Sequence, residues 1–302
     1  TRSPTVTGVQ TCALPIYMST TRRKKILQEK RLAKNFHRTF APERQYLGAL
    51  LKYAAGDGLY AKDAIAESTG IPTGKSSGKS MPTADYCRGM GLVALRKVDN
   101  IQHLILTDFG RTVYLEDKFF REELTQWLAH LFLCGKNGAE VWHQLFWNGN
   151  TVFGMRFSYA SCLNWLGSML GGKDVETAIS PAFRMYVNET SFTACGAIAV
   201  NGDDVERQTA PIKPEYACGY AAWLAQGIGA VGRGDSQVSV DELEEICGFR
   251  SVTGWTLPQS QETLSILERK NLASIDRHMI PWLVSFHHTS AALWPRLYED
   301  FI

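Results

Sequence analysis

The segment Tyr60–Leu106 reads YAKDAIAESTGIPTGKSSGKSMPTADYCRGMGLVALRKVDNIQHLIL. Its first part has the spacing of a short helix that ends at Gly70. We expect a second helix over 82–90, closed by Gly91, because glycine accepts the left-handed conformation that ends many helices. The apolar or alternating stretches on either side of Asp99-Asn100 predict a hairpin. Two short helices followed by a hairpin are typical of a winged helix-turn-helix.

A second segment, 238–284, repeats this pattern. Gly248 lies 178 positions after Gly70, and Asn271 closes the second helix of this copy as Gly91 does in the first. The sequence therefore predicts a mainly α fold, in which two winged helix-turn-helix domains flank a helical middle region. This architecture usually reads DNA.

The first seventeen residues do not resemble a natural protein segment. Val6–Ile16 reads VTGVQTCALPI, which back-translates into a string that looks like a sequencing-library adapter. A secretory signal is the competing interpretation, but the apolar run is too short and the basic cluster follows it. We expect the natural chain to start at Met18.

These patterns divide the chain into five predicted segments. They are an artefact over 1–17, a basic N-terminal arm over 18–38, a first winged domain over 39–116, a helical middle domain over 117–212 and a second winged domain over 213–302.

The composition is that of a soluble globular chain, with 45% hydrophobic and 21% charged residues. No apolar run approaches the roughly 20 residues of a membrane helix, so the cytoplasm is the expected location. The cysteines after Met18 are widely spaced and form no CxxC pair, which predicts buried reduced thiols. They are Cys87, Cys134, Cys162, Cys195, Cys218 and Cys247.

The formal net charge of +2 hides an asymmetry. Residues 18–38 hold eight Lys or Arg and one Glu, which gives +7, and Arg2 adds one, so the remainder carries −6. A basic arm on an acidic body is a common arrangement for nucleic-acid contact, although a solvated tail has the same composition.

The loop 73–80 reads TGKSSGKS and contains GKS twice. A nucleotide-binding phosphate loop needs a glycine five positions before the Gly of GK, where this chain has Thr69 and Thr73. We therefore expect the loop to hold a DNA phosphate at the start of the following helix. An ordinary flexible loop is the alternative.

Arg88 on that helix suits a guanine contact, and the hairpin adds two further cations. The predicted DNA-binding residues are Arg22, Arg23, Lys24, Lys25, Thr73, Lys75, Ser76, Ser77, Lys79, Ser80, Arg88, Arg96 and Lys97. The corresponding loop of the second copy, 250–256, has a single Arg, and its helix carries Glu262 and Glu268. A role in binding protein, or in dimerisation, is favoured there.

The residues suggest no catalytic centre. The histidines lack zinc spacing and no nucleophile motif occurs, so we expect no metal, no cofactor and no enzymatic activity. Asp203, Asp204 and Glu206 could serve a nuclease, and Lys79 an NTPase, but a solvated acidic loop explains the carboxylates more simply.

Several motifs together resemble one known family. They are Phe36-His37-Arg38-Thr39-Phe40 with Arg44 and Tyr46-Leu47, then Gly89–Leu92, Leu106–Gly110, Leu124–His130 and Ala139–Phe146. The family is an uncharacterised bacterial domain of unknown function, encoded beside PAPS-reductase-like and cysteine-desulfurase genes of DNA phosphorothioation islands. Arg38 and Tyr46 stand where the family has an acidic or amide residue and a Trp. The resemblance implies a setting in DNA modification or phage defence and assigns no catalytic residue.

The sequence thus predicts a DNA-binding, non-catalytic subunit or regulator of a bacterial phosphorothioation-type modification or phage-defence system. Its expected partners are DNA, sulfur-transfer or other defence-system proteins and a second copy of the chain, without a membrane. The alternative is a protein–protein adaptor that holds partner enzymes and has no affinity for DNA.

Overall fold

The computed structural model describes residues 30–74, 78–171, 174–233 and 237–301. Its helices are α1 Arg44–Ala55, α2 Lys62–Thr69, α3 Ser80–Gly89, α4 Asp108–Glu116, α5 Glu123–Cys134, α6 Glu140–Trp142, α7 Asn150–Phe153, α8 Tyr159–Leu170, α9 Val175–Val187, α10 Ala217–Ala230, α11 Val240–Cys247, α12 Leu257–Arg269 and α13 Ser290–Leu293. Its strands are β1 Val93–Val98, β2 Ile101–Leu106, β3 Arg156–Ser158, β4 Ile198–Asn201, β5 Asp204–Arg207, β6 Val238–Ser239, β7 Ala273–Asp276 and β8 Leu283–Phe286. A π-helical turn spans His143–Asn148, and 3-10 turns span Pro214–Tyr216, Trp294–Arg296 and Glu299–Phe301.

The first unit, residues 44–106, comprises α1, α2, α3 and the hairpin β1–β2. Gly70 ends α2 in the left-handed conformation, with φ 71°, and Gly91 follows α3 with φ 70°. The hairpin pairs Val98 with Ile101 across Asp99 and Asn100, whose φ angles of 48° and 65° are those of a tight two-residue turn. The predicted positions of both helix ends and of the turn are confirmed.

The second unit, residues 217–286, comprises α10, α11, α12 and a sheet of order β6-β8-β7. Helices α11 and α12 each begin with a capping box. In this motif a Ser or Thr side chain and the side chain of a residue three positions later each accept a hydrogen bond from the other residue's backbone N–H group. Gly248 ends α11 with φ 70°, and Asn271 follows α12 with φ 55°. The predicted closing role of Asn271 is confirmed.

The region between the two units contains helices and a third sheet, of order β3-β5-β4. Its helix α5 is buried along nearly all of its length, with Trp127 and Leu131 inside the core. The core is one contiguous cluster that takes side chains from both units and from this middle region. Helix α4, which follows the first unit, packs against the C-terminal residues. The ring centres of Phe109 on α4 and Trp294 are 4.6 Å apart.

The prediction of a mainly α fold with two winged helix-turn-helix domains is wrong. The protein is mixed α/β, with 52% helix, 14% strand and three small antiparallel sheets, and two winged domains are not clearly present. Asp204 and Glu206, which the sequence places in a solvated acidic loop, belong to β5, because a two-residue turn at Gly202-Asp203 pairs Asn201 with Asp204. Strands of three or four residues are too short to show a clear alternation of apolar and polar residues.

The six cysteines after Met18 are buried free thiols, as predicted. None of the helices in the described ranges is both long and apolar enough to span a lipid bilayer.

Candidate nucleic-acid interface

The predicted DNA-binding residues fall into two groups. Arg22, Arg23, Lys24, Lys25, Lys75, Ser76 and Ser77 lie outside the described residues. Thr73, Lys79, Ser80, Arg88, Arg96 and Lys97 are described, and all of them belong to the first unit.

The GKS loop begins and ends at one point on the first unit. Thr73 and Gly78 form an isolated β-bridge, and the Lys79 amide donates to the Pro72 carbonyl at 2.8 Å. A Cβ on Gly78 would lie 2.7 Å from the Thr73 Cα, so a glycine is required for this close approach. Thr73 is exposed at the mouth of the loop, where a phosphate could reach it.

Lys79 lies against the protein. Its ammonium pairs with the Glu43 carboxylate and is 5.6 Å and 5.3 Å from the ring centres of Phe40 and Tyr46. A cation held between a carboxylate and two aromatic faces is already satisfied. Lys79 thus joins the end of the loop to α1, and the geometry does not support a phosphate contact or an NTPase role for it.

Ser80 is buried, and its hydroxyl has no hydrogen-bond partner among the described residues. It therefore offers no donor to a phosphate outside the protein.

Arg88 also binds within the protein. Its guanidinium donates to Asp85 at 2.7 Å and to the Tyr60 hydroxyl at 3.2 Å, while that hydroxyl donates to Asp85 at 2.6 Å. Burial raises the pKa of Asp85, against the opposing effect of its hydrogen bonds and of Arg88. Burial and the Asp85 charge raise the pKa of Tyr60. This cluster stabilises α3 against the start of α2 and leaves Arg88 half-buried instead of extended toward a base.

The hairpin places its two cations differently. Arg96 forms an ion pair with Asp57, whose carbonyl also contacts His103 Nδ1 at 2.8 Å. Lys97 is exposed beside the turn. Among the four described cations of the predicted set, Lys97 alone has an exposed side chain.

A groove of about 410 Å³, which the sequence analysis missed, lies where α3, α5 and α10 meet. Arg88, Phe132, Lys136 and Trp223 are among the residues that line it. The basic and amide pair Lys136-Asn137, directly after an apolar helix, was the available signal in the sequence.

A second groove, of about 330 Å³, lies on the second unit between α11, α12 and the β7–β8 connection. Leu257 and Ile280 line this groove, and Met279 directly precedes Ile280 in the chain. We call these three residues the apolar patch; Leu257, Met279 and Ile280 are 54%, 56% and 93% exposed. Exposed apolar side chains beside a groove make this face a candidate interaction surface. The run Met279-Ile280-Pro281-Trp282 inside a connection was the signal for it in the sequence.

The acidic residues of the nuclease alternative do not form a metal site. Asp203 accepts a hydrogen bond from the Ala160 amide at 3.0 Å at the start of α8, and Glu206 pairs with Arg156 at 3.0 Å. No group of three or more His, Cys, Asp or Glu side chains suited to a metal occurs among the described residues.

Buried polar groups join both units to the middle region. His37 contacts the Ala178 carbonyl at 3.0 Å through Nε2 and accepts from the Thr39 amide at 3.1 Å through Nδ1. Burial lowers its pKa to about 4, so the ring is neutral at physiological pH. Its neighbour Phe36 packs on Tyr86, with ring centres 4.8 Å apart. Phe36 and His37, which begin the motif that resembles the family, therefore lie between the first unit and α9 of the middle region.

Arg207 on β5 connects the middle region to the second unit, and it is only 2% exposed. Its guanidinium donates to the Ser251 carbonyl at 2.9 Å and to Asn150 Oδ1 at 3.1 Å, and lies 5.0 Å from the ring centre of Phe146. No carboxylate in the described part of the chain lies within ion-pair distance of it. Burial lowers its pKa to about 10, so Arg207 stays charged at neutral pH.

No family model matches the chain, and no curated protein matches it. Two solved structures do. The chain is similar to a crystal structure of magnesium-bound SspB, with a TM-score of 0.67, and to a crystal structure of SspB, with a TM-score of 0.61. Each comparison covers 90% of this chain and 89% of the other at 15% sequence identity. At that identity, the likeness shows that the chain shares the fold of SspB along nearly its whole length.

Proposed function

We propose that this protein is a cytoplasmic, DNA-binding and non-catalytic component of a bacterial DNA modification or defence system of the phosphorothioation type. The observation that carries the proposal is the shared fold with SspB over nine tenths of both chains. SspB is a phosphorothioation-system protein. The resemblance of the motifs between Phe36 and Phe146 to a family encoded in phosphorothioation islands supports the same setting. Sulfur-transfer proteins of such a system are its proposed partners.

The proposed DNA contacts are electrostatic. Lys97 is exposed on the first unit, and the arm carries Arg22, Arg23, Lys24 and Lys25. Contacts from such residues to phosphates position a protein on DNA without reading its sequence. Lys79, Ser80 and Arg96 take no part in the proposal, because each is buried or paired within the protein.

Fluorescence anisotropy of labelled duplex DNA against salt, with the chain from Met18 onward, tests this proposal. We expect affinity to fall with salt, and each lost phosphate contact to flatten the log–log slope by about 0.9. A chain without residues 18–29 should lose several contacts, and Lys97→Gln about one. Arg269→Gln removes one exposed positive charge from α12 and is the matched control. No binding at about 50 mM salt would overturn the proposal.

The apolar patch of Leu257, Met279 and Ile280 favours a second candidate function, that of an adaptor which holds a partner protein. Co-purification with the protein products of neighbouring genes tests it. The double change Leu257→Ser, Ile280→Ser should abolish a complex that the unchanged chain forms. A complex that survives this change would exclude the patch as the docking surface.

A further inference from the structure

The hairpin β1–β2 buries one of its faces and leaves the other uncovered. Leu95 and Leu104 are cross-strand partners, 6% and 0% exposed, and they mark the face that packs on the core. Because side chains alternate along a strand, the residues on either side of each of them lie on the opposite face. Leu59 belongs to that opposite face as well, since it forms a β-bridge with His103. We call it the outer face of the first sheet.

Five side chains of the outer face are apolar. They are Leu59, Ala94, Val98, Ile101 and Ile105. Leu59 and Ile101 are 40% and 54% exposed, and the contiguous core of the described chain includes none of the five. An antiparallel sheet with one face in water normally places polar residues on that face. An apolar outer face therefore indicates a surface that another molecule covers.

The second unit provides an internal comparison. The outer face of its sheet carries the cross-strand pairs Ser274–Ser285 and Asp276–Leu283, on the side opposite to buried Ile275. Three of these four residues are polar, as expected for a sheet face in water. The apolar outer face of the first sheet is therefore not a consequence of the order of elements that the two units share.

The charges on the outer face of the first sheet are paired. The Leu104 amide donates to the Gly58 carbonyl at 2.8 Å, so Asp57 lies across β2 from β1. Arg96 on β1 forms its ion pair with Asp57 across that strand, and His103 between them contacts the Asp57 carbonyl at 2.8 Å. A guanidinium that is already paired with a carboxylate gives DNA no unpaired positive charge to neutralise. The surface that covers this face should instead be apolar, with opposite charges placed to match.

A second copy of the chain offers such a surface. The strand β2 lies at the centre of the outer face, between β1 and Leu59. A two-fold axis parallel to β2 stacks this strand on its equivalent and brings Ile101 of both copies together. The same axis places Arg96 of each copy opposite Asp57 of the other, so that opposite charges face each other across the contact.

We propose that the protein forms a two-fold dimer in which the outer face of the first sheet packs on the same face of a second copy. A strand of six residues is about 20 Å long and three strands are about 14 Å wide, which is less than the roughly 800 Å² per partner of a standard interface. The dimer should therefore be weak, with a dissociation constant of about 10 µM to 1 mM. Lys97 shares the other face of the hairpin with Leu95, so the dimer leaves it accessible to DNA.

Sedimentation velocity of the chain from Met18, at concentrations of about 10 µM to 1 mM, tests the inference. Ile101→Glu places a carboxylate where the axis brings it against its own equivalent, and Leu59→Ser is a milder change on the same face. Val187→Glu is the matched control, because Val187 is 48% exposed on α9. All three positions are exposed, and thermal melting confirms that each variant is folded.

We expect the mass of the unchanged chain to rise with concentration to that of a dimer and no further, because a two-fold contact is closed. Ile101→Glu should raise the dissociation constant by at least about tenfold, since like charges meet in an apolar contact, and Leu59→Ser by about threefold. Val187→Glu should associate as the unchanged chain does.

Three results would overturn the inference. They are a chain that stays monomeric at about 1 mM, a dimer that Ile101→Glu does not weaken, and a mass that grows beyond the dimer. Ile280→Ser separates the two apolar surfaces, and loss of the dimer in this variant alone would assign self-association to the second unit and would also overturn the inference. DNA affinity is measured separately by anisotropy, so the proposed function and the dimer can fail independently.

Discussion

The two units share the order of their helices and hairpin strands, yet the exposed ends of their sheets differ, because the first exposes Lys97 and Asp99 with Ile101, whereas the second exposes two apolar side chains in sequence. In the first unit, Lys97 lies on β1 two residues before the turn, and the Arg96–Asp57 ion pair joins the same strand to the α1–α2 connection. In the second, the β7–β8 connection exposes Met279 and Ile280 beside Leu257. The helix ends and turns that made the units look alike govern folding. The residues at the ends of the sheets differ, and they are the ones available to partners.

The largest expected effect tests whether the two units fold together. Trp255 is buried in the second unit, where its ring contacts Tyr220 and its Nε1 donates to the Ala210 carbonyl at 2.7 Å. Trp255→Ala should lower the free energy of unfolding by about 3–5 kcal/mol. Because the core is contiguous, calorimetry should show one transition shifted as a whole. The division into 39–116, 117–212 and 213–302 stays a prediction, and two separate transitions, of which one is unaffected, would favour it.

Mild acid should lower the free energy of unfolding through His37, which packs between the first unit and α9. The unfolded chain protonates His37 near pH 6.5, whereas the folded chain does so only near pH 4. Stability should therefore fall between these values as pH drops, by up to about 3 kcal/mol from this residue. Arg207, which connects the middle region to the second unit, keeps its charge over that pH range.

Urea unfolding at several pH values measures this loss. In His37→Gln the decline between pH 6.5 and pH 4 should be shallower than in the unchanged chain, and an equal decline in both would rule out His37 as its cause.

A smaller effect on stability is expected for the ion pair between Arg96 of the first hairpin and Asp57. Asp57→Asn removes the charge that pairs with Arg96 and keeps a residue type that tolerates the left-handed φ of 56°. The pair is partly exposed, so its loss should cost at most about 1 kcal/mol, and less at high salt. Denaturant melts at about 0.05 M and 1 M salt measure it. A loss of several kcal/mol that persists at high salt would show that more than an exposed ion pair was removed.

The smallest effect on stability is expected at the second connection. Ile280→Ser should change the free energy of unfolding by less than about 0.5 kcal/mol, because the side chain is 93% exposed. The same change should reduce binding of a hydrophobic dye to the folded protein. A clear loss of stability would mean that Ile280 is packed within the monomer, and the contrast between the two hairpins would disappear.

Local patterns predicted much of the order of elements. Gly91 and Asn271 close their helices, and Asp99-Asn100 forms the first turn, because left-handed φ angles restrict the residue types that can occupy them. The third sheet could not be predicted, because β3 and β4 pair with β5 through contacts that no local pattern contains.

The candidate site was less predictable than the fold. Lys79 and Arg96 looked like phosphate contacts, since a sequence shows a charge but not the carboxylate that folding brings to it. Glu43 lies 36 positions before Lys79, and Asp57 lies 39 positions before Arg96. Arg88 lies at the groove between α3, α5 and α10 for a similar reason, since only the folded chain brings these helices together.

The buried cation of Arg207 limits how this architecture can be rearranged. The residue belongs to a strand of the middle sheet, while the carbonyl it binds belongs to the loop after α11. A hybrid protein that received the second unit from a relative would need an equivalent guanidinium from its own middle sheet, or would leave the Ser251 carbonyl without its donor. We therefore expect the second unit and the middle sheet to be inherited together, with exchange between homologues confined to the exposed sheet ends.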